Sequence, residues 1–446
     1  MRYTVITLFA MMLMSACQPQ PNINPSRTDT DDTLSDSAFL DMLQRAHFEY
    51  MWSGADQNSG LAYERIHEDG EYGYNDPTII TTGGSGFGIA GIVVAMERGF
   101  ISRQEGVARL QKIVAFLSRA NRFHGVWPHW LYPSGRVCPF GTKDNGGDLV
   151  ESCFLMQGLL IARQYLNADI ETEKQVIDSI NQLWQEMEFD WYTRGGKQVL
   201  YWHWSPNYEW QMNLPVEGYN ECMIVYILAS ASPTHSVSAD CYHKGWARNG
   251  AIKSNAVSYG YPLFVSHNGA ETTGGPLFWA HYSWIGLCPK GLVDKYADWW
   301  KVVQNHALSN HAYCVANPKN YVNYNDSCWG LTASYSPDGY TAHAPNNDLG
   351  VITPTAALSS FPYTPQQSMA AAKYLYKRKT LLWGEYGFYD AYSATGRWYP
   401  HWYLAIDQLT VAPMIENYRS GLCWRLFMSC PEIKSALEKL NISYNP

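Results

Sequence analysis

The sequence predicts an all-α fold, in which helices pair as the inner and outer layers of an α/α barrel. Apolar residues recur at helical spacing through about eleven or twelve segments after residue 35. Several strongly apolar segments are followed by an amphipathic one. A helix that is apolar on all sides is buried, whereas a helix with a charged face lies outside. About six such pairs fit a double ring of helices, with long loops at one rim.

The predicted helices follow one another along the chain with few other elements between them. Ser102 and Glu105 form a capping box at the start of one of them, and Pro354 and Pro365 stand at first helical positions of two others. The segments are Leu34–Met51, Gly84–Arg98, Ser102–Arg122, Gly147–Leu166, Asp169–Met187, Glu221–Ala231, Pro276–Leu287, Val293–Cys314, those that begin at Pro354 and Pro365, Ala405–Leu426 and Pro431–Leu440.

Long loops rich in glycine, proline and aromatic residues separate these helices. They span residues 53–83, 123–147, 190–220, 232–275, 315–352 and 384–402. Structureless loops of this length usually carry function, so we expect the site on them. No break in composition follows residue 35, which predicts a single domain over residues 36–446.

The N-terminus has the pattern of an exported protein. Residues 1–16 carry an early Arg2 and a short apolar run, and Leu13 to Cys17 resembles the cleavage box of a bacterial lipoprotein. We expect a signal peptide over 1–16, a lipid on Cys17 and a flexible tether over 17–35. The lipid would be the only membrane contact of a periplasmic or outer-membrane-anchored protein. A plain secretory signal is the alternative.

The composition favours a neutral ligand. Aromatic residues make up 15% of the chain and charged residues only 16%, and the net charge is −8 without any basic block. These values exclude a disordered chain and disfavour nucleic acid as a partner. The histidines and cysteines show no metal-binding spacing, so we expect no metal and no cofactor. Flat aromatic faces beside few charges suit a hydroxyl-rich ligand such as a sugar.

Two groups of acids stand at the starts of apolar helices. Asp148 and Glu151 share a face of one first turn, and Asp144 precedes them. Glu221 opens another helix, one turn after Glu217. Capping could explain one acid at each place. Three acids at the mouth of a buried helix instead favour general acid–base chemistry, because close carboxyl groups force their pKa values apart.

Aromatic residues in the long loops are the candidate sugar contacts. Histidine precedes tryptophan three times, at 129–130, 203–204 and 401–402. A further loop brings an aromatic residue and an acid together at 389–390. The predicted binding residues are Glu217, Trp130, His203, Trp204, Tyr389, Asp390, His401 and Trp402.

In combination, five blocks resemble the glycoamylase-like proteins, which include glycoside hydrolase family 144, the bacterial β-1,2-glucanases. They are GGSGFG at 83–88, TKDNGGDLVES at 142–152, GYNE at 218–221, GEYGFYDAY at 384–392 and the run from Ala405 to Gly421. The resemblance covers roughly residues 36–440. It implies an (α/α)₆ barrel and hydrolysis of linear β-1,2-glucan with net inversion. The lipoprotein signal is similar to those of Bacteroidetes glycan-degrading systems.

By the same resemblance, the catalytic acids fall on Asp144, Asp148, Glu151 and Glu221. We expect Glu221 to be the general acid, with Glu217 as the alternative, and the other three to activate water. Which of these three is the base stays open. The protein is expected to act as a monomer on the interior of the glucan chain. Alternatives are an exo-acting glucan hydrolase, a surface glycan-binding lipoprotein without catalysis, and a polysaccharide lyase, which the acidic net charge disfavours.

Overall fold

The computed structural model describes residues 34–73 and 75–446, and helices dominate them. The signal segment, Cys17 and nearly all of the tether predicted for residues 17–35 lie outside the described residues. The α-helices in this part of the chain are α1 Asp36–Trp52, α2 Thr82–Glu97, α3 Arg103–Leu117, α4 Leu149–Tyr165, α5 Glu171–Gln185, α6 Met223–Ala231, α7 Trp299–Ala316, α8 Pro354–Ser359, α9 Pro365–Tyr376, α10 Lys379–Leu382, α11 Ala405–Gln408, α12 Val411–Arg419, α13 Leu422–Ser429 and α14 Pro431–Lys439.

Short strands fasten the long loops to one another. They are β1 Arg65–His67, β2 Ile80–Thr81, β3 Trp130–Leu131, β4 Val137–Cys138, β5 Gly147–Asp148, β6 His203–Trp204, β7 Lys253–Ser258, β8 Tyr261–Val265, β9 Leu292–Val293, β10 Ala333–Ser336, β11 Gly339–Ala342, β12 Trp383–Gly384, β13 Gly387–Phe388, β14 Trp402–Leu404 and β15 Ser443–Tyr444. All pair antiparallel. β1 pairs with β14, β2 with β3 and β4, and β5 with β6, so loops distant in sequence meet.

The centre of the core is the contact between α2 and α4. Gly86 and Gly158 face each other there, since a Cβ added to Gly158 would lie 1.9 Å from the Gly86 carbonyl oxygen. Only glycine lets the two backbones approach this closely. The amphipathic helices α3 and α5 pack on each other outside this pair. The predicted helix-rich fold and the alternation of buried and amphipathic helices are therefore observed.

Three predicted helices differ in the structure. The segment Pro276–Leu287 forms two separate 3₁₀ turns, Leu277–Ala280 and Tyr282–Trp284, on either side of His281, whose Nε2 hydrogen-bonds to the Ser360 hydroxyl. The segment Val293–Cys314 becomes helical only at Trp299, where Asp298 caps α7. The segment Ala405–Leu426 divides into α11, α12 and α13, and Gly421, with φ of 70°, separates the last two. Within 34–73 and 75–446, no helix is long and apolar enough to span a membrane.

Candidate active site

A cavity of about 390 Å³ opens where the loops meet the starts of the central helices. Nearly half of its lining residues are Phe, Trp or Tyr. Four acidic or basic side chains come from three different loops, and a fifth comes from α4. Residues from four of the six predicted long loops contribute to it. The lining consists of Glu64, Arg65, Asn75, Thr81, His129, Trp130, Phe140, Glu151, Phe154, Trp202, Glu221, Phe278, Tyr282, Tyr335, Tyr340, Leu404 and Ile406. Trp130, Glu151 and Glu221 were predicted as site residues from the sequence.

Asp148 is the N-cap of α4 and lies directly behind this lining. Its Oδ1 accepts hydrogen bonds of 3.0 Å from the backbone amides of Val150 and Glu151, and its side chain has no exposed surface. The N-cap role that capping preferences suggest is thus real. His129 adds a hydrogen bond of 2.9 Å from Nδ1 to Oδ2 of Asp148. The carboxylate is therefore held by three donors.

His129 carries the positive charge of this cluster. Burial lowers its pKa, but the charge of Glu151 and the hydrogen bond and charge of Asp148 outweigh burial and raise the pKa to about 10. The pKa of Asp148 is lowered. Burial favours its neutral form, but the hydrogen bond from His129 and the charge of His203 outweigh burial and keep the pKa below the usual range. At neutral pH the two form a buried ion pair.

Asp144 and Glu151 are held differently from Asp148. Burial, together with the negative charge of Asp148, raises the pKa of Asp144 to about 7. Burial also raises the pKa of Glu151 to about 8, although His129 opposes this rise. Glu151 accepts a hydrogen bond of 2.9 Å from the Gly83 amide at the start of α2. The three clustered acids therefore differ in protonation, as predicted for close carboxyl groups.

Glu221 precedes α6 and reaches the same cavity from another side. Its backbone is fixed by Ser283, whose hydroxyl donates to the Glu221 carbonyl and accepts from the Ile224 amide at 3.1 Å. Burial raises the pKa of Glu221 to about 7, and the charge of Asp148 adds to this effect. A carboxylic acid with such a pKa holds its proton near neutral pH and can donate it.

The remaining predicted residues divide into two groups. His203 lies beside the acid cluster, because β5 pairs it with Asp148, and its Nε2 is 3.4 Å from Oδ2 of Asp144. Trp204 packs instead against Trp191 and His124. Glu217 is partly exposed and lies 3.7 Å from Arg248.

The residues predicted from the last long loop lie around a neighbouring network. Tyr389 donates to Glu68 at 2.5 Å, and His401 stacks on Tyr389. Trp402 donates to Asp69. Asp390 is fully buried and accepts from the Tyr335 amide at 2.9 Å. Burial raises the pKa of Asp390 to about 7. A sugar-binding role for these side chains stays a prediction.

Several lining residues had no signal in the sequence. Glu64 and Arg65 stand in a loop without a local motif, and Tyr335 and Tyr340 come from a long hairpin loop. Tyr282 was assigned to the aromatic helix that the structure replaces with turns. The sequence predicts that the long loops carry the site. It does not predict which of their residues face the cavity, because that depends on the pairing of β1 with β14 and of β10 with β11.

One group in the described residues has the spacing of a metal site. Single ligand atoms of His129, Asp144 and Asp148 lie within 4.8 Å of one another. The Nδ1 atom of His129 is already used in the hydrogen bond to Asp148. This hydrogen bond already brings two of the three side chains together.

Comparison with known proteins defines the class of protein. The family model Glycoamylase, described as "Putative glucoamylase", matches residues 213–431. An endo-β-1,2-glucanase from Chitinophaga pinensis, in complex with sophorotriose and glucose, is 57% identical, with a TM-score of 0.91 over 92% of this chain and 99% of that one. The endo-β-1,2-glucanase of Talaromyces funiculosus is 13% identical with a TM-score of 0.63, over 90% of this chain and 88% of that one, a likeness of fold alone.

A third relative is longer than this chain. The exo β-1,2-glucooligosaccharide sophorohydrolase of Parabacteroides distasonis is 44% identical over 442 residues, which is 94% of this chain but 60% of that protein. The near-complete match to the Chitinophaga enzyme places the chain in the glycoamylase-like family. The resemblance drawn from the five sequence blocks is therefore confirmed.

Proposed function

We propose that this protein is a glycoside hydrolase that cleaves β-1,2-glucan in the cavity between Glu221 and the Asp144/Asp148/Glu151 cluster. The observation that carries this proposal is a cavity, lined largely by aromatic side chains, onto which Glu151 of the first turn of α4 and Glu221, just before α6, both open. Relatives with this family's fold are named as enzymes acting on β-1,2-glucans. A purely glycan-binding protein would need the aromatic lining but not the buried acids.

In the proposed reaction, Glu221 gives its proton to the glycosidic oxygen as the C1–O bond breaks. A carboxylate of the cluster takes a proton from water, whose oxygen attacks C1 from the opposite face and inverts the anomer. Asp148 has no exposed surface, so it positions His129 and the α4 start without touching substrate. The base is then Asp144 or Glu151. A base must accept a proton, so one of the two has to be ionised in the working state, although burial raises both pKa values.

The finer architecture and mode of action are part of the same proposal. We infer that the helices close into an (α/α)₆ barrel, which the buried α2 and α4 and the outer α3 and α5 support. Endo action is favoured by the likeness to the Chitinophaga enzyme over nearly its full length. Exo release of a disaccharide is the second candidate, favoured by the name of the Parabacteroides relative.

A product analysis on linkage-defined glucans tests the activity. We expect reducing-sugar release from β-1,2-glucan only, an inverted anomer by NMR, and oligosaccharides of mixed length at early times. Disaccharide as the sole early product would establish the exo alternative. Binding without release from any glucan would exclude the enzyme.

Substitution of the two candidate acids tests the site. Glu221→Gln should lower kcat by about 10²–10⁴-fold while leaving glucan binding intact, because it removes proton donation alone. Glu217→Gln is the control, because it makes the same chemical change at a partly exposed residue. If E217Q loses activity and E221Q keeps it, the acid has been assigned to the wrong residue.

We also infer that the protein is an exported, monomeric lipoprotein that is lipidated on Cys17 and anchored in the periplasm or outer membrane. The supporting pattern is the apolar run that ends at Cys17. Labelled palmitate should be incorporated into the wild-type protein but not into the Cys17→Ser variant. The domain over residues 36–446, which lacks Cys17, should elute as a monomer in size-exclusion chromatography. Equal labelling of both proteins would exclude this anchor.

A further inference from the structure

Glu64 and Arg65 form a corner of the cavity that catalysis by Glu221 and the acid cluster does not use. Arg65 begins β1, which is held in place by its pairing with Leu404 of β14. The side chains of both residues are about nine-tenths buried, and both line the cavity. A charged pair is rarely this buried unless its hydrogen bonds are completed.

The hydrogen bonds of this corner are incomplete. The Nε of Arg65, the Nε1 of Trp130 and the Oγ1 of Thr81 are buried atoms without a hydrogen-bond partner, and all three residues line the cavity. The Nη2 of Arg65 is 3.9 Å from Oε1 of Glu64, too long for a hydrogen bond. Native proteins pair nearly all buried polar groups, so these donors point to a ligand.

The corner is also rigid before any ligand arrives. The guanidinium of Arg65 lies over the Trp130 ring, 5.5 Å from its centroid. Tyr335, which also lines the cavity, is held by a hydrogen bond of 3.1 Å between its hydroxyl and the Nε2 of His67. Donors held in fixed positions bind hydroxyls without an entropy cost for ordering the protein.

The corner offers one acceptor, the carboxyl group of Glu64, beside several donors, and this arrangement can bind two neighbouring hydroxyl groups of a ligand. One hydroxyl can accept from the Nε of Arg65 while it donates to Glu64, and the next can meet Thr81 or the Nε1 of Trp130. We propose that the Glu64–Arg65 corner binds the 3- and 4-hydroxyls of a glucosyl ring and thereby selects β-1,2-linked chains. This inference rests on the proposed function.

The selectivity follows from linkage chemistry. A β-1,2-linked backbone uses O1 and O2 of each ring, so every ring keeps O3 and O4 free and adjacent. A β-1,3 backbone substitutes O3 and a β-1,4 backbone substitutes O4. In either of these chains an internal ring placed in the corner has an ether oxygen in place of one of the two hydroxyls. An ether oxygen can still accept from Arg65, but it cannot donate to Glu64, and it carries the next ring of the chain into the corner. The corner therefore discriminates by loss of hydrogen bonds as well as by shape.

Calorimetric binding to the inactive E221Q protein tests this proposal. The ligands are the β-1,2-linked tetrasaccharide and two analogues, in which each ring lacks its 3- or its 4-hydroxyl. We expect E221Q to bind each analogue about 10- to 100-fold more weakly than the parent, as for loss of a hydrogen bond to a charged group. Adding Arg65→Gln should weaken binding of the parent by a similar factor and should erase most of the difference between parent and analogues.

A matched control variant separates the effect of changing the corner from the effect of removing any positive charge. Arg119→Gln removes an exposed arginine and should leave every affinity unchanged. If Arg65→Gln fails to fold, the analogue series with E221Q still decides, because it needs no substitution in the corner. Two results would refute the proposed role of the Glu64–Arg65 corner: equal binding of parent and analogues, or an R65Q/E221Q protein that binds the parent as tightly as E221Q does. Neither result would affect the proposal that the protein hydrolyses β-1,2-glucan. Failure of the wild type to hydrolyse β-1,2-glucan would instead overturn the proposed function.

Discussion

Replacing His129 with glutamine tests the charge balance on which the site depends. His129 donates to Asp148 over 2.9 Å, and the aspartate is completely buried. Glutamine is close in size and can keep one hydrogen bond, but it cannot supply the positive charge. Asp148 would then be a buried carboxylate without a positive charge to compensate it.

The structure sets the size of this effect. Breaking a buried ion pair by removing one partner costs about 3–5 kcal/mol, because the other charge stays buried. The pKa of His129 is raised from 6.5 to about 10 in the folded protein. The stabilisation by the charged histidine is therefore fully present below pH 6.5 and is lost as the pH rises toward about 10.

Urea unfolding of wild type and H129Q at pH 6 and pH 9.5 measures this stabilisation. We expect the free energy of unfolding to fall by about 3–5 kcal/mol in H129Q at pH 6 and by clearly less at pH 9.5. His235→Gln is the control, because His235 meets Asp190 over a similar 3.0 Å but at the surface. That change should cost at most about 1 kcal/mol. Equal costs for both variants at pH 6, or a cost for H129Q that does not change with pH, would refute the buried ion pair.

Two further predictions concern activity. Because burial raises the pKa of Glu221 to about 7 and its acid form is the proton donor, kcat/KM should fall about tenfold per pH unit above that value; a flat profile from pH 6 to 9 would contradict this assignment. Gly83→Ala places a Cβ 2.2 Å from Oε2 of Glu151, so kcat should fall at least about tenfold with the fold retained. Gly91→Ala in the same helix meets nothing nearer than 3.9 Å and should keep full activity and gain up to about 1 kcal/mol of stability in thermal unfolding; equal rates for the two variants would exclude the contact.

The sequence predicts what depends on local chemistry. The buried α4, its acids at the start and the capping by Ser102 and Asp148 all follow from periodicity and capping rules, and the structure has them. The corner at Arg65 does not follow, because it exists only where β1 meets β14, more than 330 residues later. The aromatic spacing around Tyr282 predicts a helix, whereas the structure has two 3₁₀ turns there, on either side of His281. The hydrogen bond of His281 to Ser360, 79 residues later, leaves no trace in the local spacing.

The same proton distribution supports both folding and catalysis. Four acids, Asp144, Asp148, Glu151 and Glu221, share a region of low dielectric with the protonated His129. Ionising all four would be prohibitive, so Asp148 takes the charge that His129 compensates and the other three keep raised pKa values. Rising pH removes the proton of Glu221 near 7 and that of His129 only near 10. Activity should therefore disappear on the alkaline side well before the stabilisation by the ion pair is lost.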